Sequence, residues 1–142
     1  MPTKNIVAYD TNTARFQQLI PFLTKTQDKF HVVIPAMVYL EMGYSFLLKG
    51  DSIENYDEEL TTYNAEVIPF TREHLQNTII LAHANRKTLP FREHSRDYLI
   101  AGQCLDFVEI FITYNVRRFK VMKLSTTRFM IPEDFALEFA PE

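Results

Sequence analysis

The chain has a single cysteine, only three glycines, and no uninterrupted apolar run of the ~20 residues that a membrane helix needs. Each scarcity excludes something. One cysteine cannot close an internal disulfide, and Cys104 lies in the apolar stretch from Leu99 to Phe107, so it reads as a core residue. Three glycines in 142 residues rule out a Gly-rich flexible or fibrous protein. The opening Met1-Pro2-Thr3-Lys4-Asn5 lacks the charged-then-apolar build of a secretory signal, so a soluble, cytoplasmic protein with no membrane association is expected. His31, His74, His83 and His94 do not fall at zinc-ligand spacing, and Cys104 cannot complete such a set. Neither a nucleophile-elbow pattern nor a Gly-rich phosphate loop occurs, which leaves Ser-His-Asp hydrolases and P-loop enzymes without support.

What the chain does have is apolar material. Hydrophobic residues make up 46%, with 12 Phe and 7 Tyr, enough for one domain over residues 1–142 with its own core. The formal net charge of −3 does not advertise nucleic-acid binding, but its distribution is uneven. The segment from Asp51 to Glu73 is acidic (Glu54, Asp57, Glu58, Glu59, Glu66), whereas Arg86 to Arg128 leans basic. A basic surface on an acidic protein can still track a phosphate backbone, although each such residue also reads as an ordinary solvated charge.

Asn5 to Tyr9 is a short apolar strand that runs into Asp10 and a turn. Phe16 to Leu23 has helical spacing interrupted by Pro21. His31 to Ile34 predicts a second strand, and Pro35 then opens a helix over Ala36 to Leu48. An exposed acidic helix is predicted within Asp51 to Glu66, with Ile53, Tyr56, Leu60 and Tyr63 on one side. Glu66 to Phe70 reads as a third strand, and Thr71 caps a helix to about Asn85. Lys87 to Glu93 reads as a loop, Ser95 as the cap of a helix from Arg96 to about Leu105, and Phe107 to Thr113 as a central fourth strand. Val121 to Leu124 is a candidate fifth strand, and Pro132 begins a last helical turn. Strands alternating with helices imply an α/β fold, a three-layer α/β/α sandwich around a parallel sheet of four to five strands. In such sheets ligands bind outside the carboxyl ends of the strands.

That rule singles out four residues. Asp10 ends the first strand, Glu41 lies early in the helix after the second, Asp97 starts the helix before the fourth, and Asn115 follows the fourth directly. Glu41 and Asp97 are acids in otherwise apolar helical stretches, a costly placement unless the charge is paired or bound to a cation. Converging carboxylates repel one another unless a cation sits among them, and Mg²⁺ or Mn²⁺ suits carboxylate and amide oxygens. Taken singly, each has a plainer reading: Asp10 as a turn or N-cap, Asp97 as a helix-dipole partner, Glu41 as a solvated helical residue, Asn115 as a turn residue. Their shared position relative to the strands argues for one acidic site.

These segments also resemble a known family. Ala8-Tyr9-Asp10-Thr11-Asn12 and Ile34-Pro35-Ala36-Met37-Val38-Tyr39-Leu40-Glu41 look like the start of a PIN domain. Arg96-Asp97-Tyr98-Leu99-Ile100-Ala101-Gly102 is similar to the third motif, and Phe111 to Phe119, containing Thr113, Tyr114 and Asn115, to the fourth. Pro132-Glu133-Asp134-Phe135 resembles the closing segment of the VapC-like toxins of toxin–antitoxin pairs. The resemblance implies a PIN-like sandwich and a Mg²⁺- or Mn²⁺-dependent endoribonuclease acting on tRNA, rRNA or mRNA, with Asp10, Glu41 and Asp97 as metal ligands. It further implies Asn115 as the fourth member, Thr113 as a supporting hydroxyl, a homodimer, and inhibition by a cognate antitoxin. Arg118 departs from the family, standing where many relatives carry Asp or His. Hydrolysis would use metal-activated water, and Arg96, Arg117 and Lys120 are candidate RNA phosphate contacts. Two rivals stand beside this reading. A haloacid-dehalogenase-like phosphatase needs a second Asp where Asn12 stands, which weighs against it. A catalytically weak PIN-like module that binds RNA or protein without cutting is kept open by Asn115 and Arg118.

Overall fold

A computed structural model describes residues 3–124 and 126–141; Met1 and Pro2 of the N-terminal segment read above lie outside them. Five strands, β1 (Asn5–Tyr9), β2 (Phe30–Pro35), β3 (Glu66–Ile68), β4 (Ile110–Ile112) and β5 (Arg128–Met130), form one sheet in the order β3-β2-β1-β4-β5. Every pairing is parallel: Val7 lies opposite both Val32 and Ile110, Ile34 opposite Val67, and Phe111 opposite Phe129. Consecutive residues Val7, Ala8 and Tyr9 of β1 are buried, as are Val32 to Ile34 and the whole of β4. A strand buried on successive residues is covered on both faces, and the helices that join the strands supply that cover.

Those helices are α1 (Leu19–Lys25), α2 (Ala36–Leu48), α3 (Ile53–Thr61), α4 (Arg72–Ala84), α5 (Phe91–Cys104), α6 (Val116–Val121) and α7 (Pro132–Glu138). A 3₁₀ turn at Thr11–Arg15 leads from β1 towards α1. Helix α3 packs on α2, α2 on α5 and α5 on α4, while α1 meets α7. Cys104 is buried, and burial pushes its thiol pKa up, so it is an inert core group.

Helix α2 begins and ends where the sequence predicts. Its cap residue Pro35 offers no side-chain acceptor, and the missing partner comes from across the fold. Gln103 Oε1 accepts from Ala36 N at 2.7 Å, while its Nε2 donates to the Ile68 carbonyl at 2.9 Å. A buried glutamine thus ties the start of α2 to the end of β3. At α4, Thr71 caps as expected, in a reciprocal capping box with His74. Helices α4 and α5 approach so closely that a Cβ on Gly102 would stand 2.0 Å from Thr78 Oγ.

Three predicted elements are corrected. Val121 to Leu124 is not a strand: Val121 ends α6, and Met122 and Leu124 follow in a turn that buries them, with Lys123 at φ 55°. The fifth strand is Arg128–Met130 instead. The predicted loop from Lys87 to Glu93 gives way to helix at Phe91, and the backbone leaves helical angles at His94 (φ −126°, ψ 19°) just before Ser95. The predicted fourth strand shortens to Ile110–Ile112, after a left-handed residue at Asp106. Among the described residues no helix is long and apolar enough to cross a membrane.

Candidate acidic site

From β1 the chain moves outward to β2 and β3, then returns to place β4 on the other side of β1. The carboxyl ends of β1 and β4 therefore flank the topological switch point, where open parallel sheets bind ligands. Asp10 and Thr113 stand there, each one residue past its strand, and both are fully buried. Asp10 N donates to the Ile112 carbonyl at 2.9 Å, and Thr113 N to that of Met130 at 2.8 Å, so both are held by the ends of the sheet ladder.

Asp10 fulfils its plain and its chemical reading at once. Its Oδ1 caps the 3₁₀ turn by accepting from Thr11 N at 2.7 Å, and its carbonyl accepts from Thr13 Oγ at 2.6 Å. The other carboxylate oxygen, Oδ2, accepts from the Thr113 hydroxyl at 3.2 Å. These bonds fix the direction of the carboxylate.

Glu41, in the second turn of α2, and Asp97 of α5 are brought to the same place, and what joins the three acids is Arg96. Its Nη2 donates to Asp10 Oδ1 at 2.5 Å, its Nη1 to Asp97 Oδ1 at 2.8 Å. Glu41 is held by two bonds, from Nε to Oε2 at 2.6 Å and from Nη2 to Oε1 at 2.7 Å. The Thr11 hydroxyl also donates to Glu41 Oε1, at 2.5 Å. On its other oxygen, Asp97 Oδ2 accepts from Arg118 Nη1 at 2.8 Å. Three carboxylates against two guanidiniums leave one formal negative charge unpaired, in a site where the Asp10 and Asp97 side chains are 0% and 5% exposed.

The electrostatics follow from this packing. Burial pushes the Glu41 carboxyl up, but hydrogen bonds from Arg96 and Thr11 and the guanidinium charge outweigh it, leaving its pKa below the usual range. Burial pulls Arg96 down, while its bonds to Glu41 and Asp10 raise it by more, so it stays charged.

The other predicted residues are placed less centrally. Asn115 caps α6 without a side-chain cap bond, and its backbone N–H donates to Thr113 Oγ at 3.0 Å. Among the described residues, its link to the acids thus runs through the main chain and Thr113. Arg117 and Lys120 are exposed on α6 and line one surface depression of about 520 Å³ with Val116 and Val121. A second groove, of about 420 Å³, joins Arg117, Arg118 and Asn115 to His94 and Tyr114. Arg96, expected as a candidate phosphate contact, is bonded to the three acids. Two members were not foreseen. The Thr11 hydroxyl follows Asp10 directly, a spacing that could have flagged it; Arg118 stood out only as a departure from pattern.

No protein-family model and no curated protein sequence matches this chain. Solved structures do. The chain is similar to one in the crystal structure of VapBC2 from Rickettsia felis bound to a promoter DNA fragment, with 17% identity, a TM-score of 0.64, and 87% of this chain and 98% of that one covered. It is also similar to a chain of VapBC-1 from nontypeable Haemophilus influenzae, with 16% identity, a TM-score of 0.65, and 90% and 98% covered. The fold, a parallel five-stranded sheet flanked by helices, is PIN-like and is shared with chains of these two VapBC structures.

Proposed function

We propose that this chain is a Mg²⁺- or Mn²⁺-dependent endoribonuclease, the VapC-like toxin of a toxin–antitoxin pair, working in the cytoplasm. The observation that carries the reading is the convergence of Asp10, Glu41 and Asp97 on one cationic group at the carboxyl end of β1 and β4. As they stand around the guanidinium, no three acids among the described residues are placed to hold a metal ion; what fits such an ion is the donor chemistry, carboxylate oxygens that all face a single positive centre, the ligand type that hard divalent ions prefer. Asp10, Glu41 and Asp97 would hold it, with Asn115 as a fourth member at the margin. When bound, the ion lowers the pKa of a water nucleophile and stabilises charge on phosphoryl oxygens. The chain's own residues set the stage: Thr113 holds Asp10, Thr11 orients Glu41, and Arg118 holds Asp97. Arg117 and Lys120, exposed side by side on α6, are suited to the flanking phosphates of RNA. Exposed apolar side chains on α2 (Leu40, Tyr44, Leu47, Leu48) and α4 (Leu75, Ile79, Ile80) support association, with an antitoxin or a second copy.

A second reading, an RNA- or protein-binding module with little catalytic power, is favoured by Arg96 and Arg118, which already neutralise much of the acidic charge. One experiment separates the two. Purified chain is incubated with total RNA, with and without Mn²⁺, and product ends are mapped. A nuclease gives discrete cuts that need Mn²⁺ and vanish in Asp10→Asn and Asp97→Asn. RNA that is retained but never cut favours the binding module, and cleavage undiminished in either variant overturns the site.

A further inference from the structure

Arg96 holds the place that a metal ion would need. Its guanidinium engages both oxygens of Glu41, Oδ1 of Asp10 and Oδ1 of Asp97. A divalent ion shared by the same carboxylates requires those lone pairs, and two cations so close repel each other strongly where screening by water is weak. Arg118 is different: it takes only Oδ2 of Asp97, the oxygen that Arg96 leaves free. Arg96 also has somewhere to go. Its side chain is 32% exposed, whereas Asp10 and Asp97 lie almost wholly beneath it.

We propose that Arg96 is a tethered competitor for the metal site. It keeps the three carboxylates converged in the metal-free protein, and it must swing towards solvent before a divalent ion can bind, so this one side chain sets the metal affinity. The inference rests on the reading that these carboxylates bind metal. Its distinguishing consequence is that removing a charged residue from the centre of the site improves ligand binding.

The test is isothermal titration of the full chain with Mn²⁺, comparing wild type, Arg96→Gln and Arg118→Gln. Both variants remove one positive charge, but only the first vacates the centre. Arg96→Gln should bind Mn²⁺ at least about tenfold more tightly than wild type, equivalent to about 1.4 kcal/mol, and more tightly than Arg118→Gln. If wild type binds and Arg96→Gln binds no better than it, or no better than Arg118→Gln, the competitor role is wrong while the metal site stands. If none of the three binds Mn²⁺, both readings fall. Should Arg96→Gln not fold, ¹⁵N NMR of the wild type decides. The Arg96 Nε–H signal, assigned by its loss in Arg96→Lys, should be protected without metal and shift to the solvent-exchanged arginine position on saturation with Mg²⁺. A protected signal that stays in place at saturation overturns the proposal.

Discussion

Asp10→Asn, studied without metal, separates this site from a bare acidic cluster. Where carboxylates merely crowd one another, neutralising one relieves repulsion and raises stability. Here Asp10 is fully buried and bonded to Arg96, to the Thr113 hydroxyl and to Thr11 N. The amide keeps the shape and retains an acceptor, so no cavity opens. What is lost is the charge-assisted bond to Arg96, a type that contributes about 1.5–3 kcal/mol. The larger penalty of about 3–5 kcal/mol for orphaning a buried charge does not apply in full, because Arg96 retains Glu41 and Asp97. The variant should therefore be less stable by about 1.5–3 kcal/mol, a loss on the order of 5–15 °C in Tm for a chain of this size. Urea unfolding in the presence of a chelator, followed by circular dichroism, measures it. An Asp10→Asn protein as stable as wild type, or more stable, would show that repulsion dominates and that the Arg96 bonds contribute nothing.

Gly102→Ala should destabilise by about 1–3 kcal/mol, since the overpacking meets Thr78 Oγ and backbone atoms of α4 and outweighs the gain in helix propensity; Thr78→Ala in the same chain should restore part of the loss in the same unfolding assay. Gln103→Leu should cost about 2–4 kcal/mol by leaving Ala36 N and the Ile68 carbonyl without partners, and an unchanged urea midpoint would refute that tie. Because the folded Glu41 pKa is lowered, its contribution to stability is fully present above the ordinary value of about 4.5 and is lost as pH falls through the folded value. The acid limb of the stability–pH curve should accordingly be shallower in Glu41→Gln than in wild type.

Much of this arrangement is legible in the sequence because it obeys period and position. β1 and β2 are apolar runs of strand length, α2 begins after a proline, and Asp10 ends a strand. Acids inside apolar helices, Glu41 and Asp97, announce that something must pay for their burial. The misread segments are those whose local pattern is overridden by tertiary contacts. Val121-Met122-Lys123-Leu124 is apolar and short like a strand, yet its buried members serve the end of α6, and the true β5 carries an exposed Arg128 paired to Glu138. The bonds of Arg96 to the three acids were not legible for a different reason. Neighbouring helical positions point about 100° apart, so spacing alone gives no sign that a long side chain beside Asp97 reaches back over Asp10 and Glu41. Spacing reveals which residues share an edge of the sheet, not which of them lies at the centre.

The most direct measurement is a crystal of the full chain soaked in Mn²⁺, with the manganese located by its anomalous scattering. One strong peak is expected, bounded by carboxylate oxygens of Asp10, Glu41 and Asp97, with the Arg96 guanidinium moved out towards solvent. A crystal that binds manganese only elsewhere, with Arg96 still joining the three acids, would contradict that expectation.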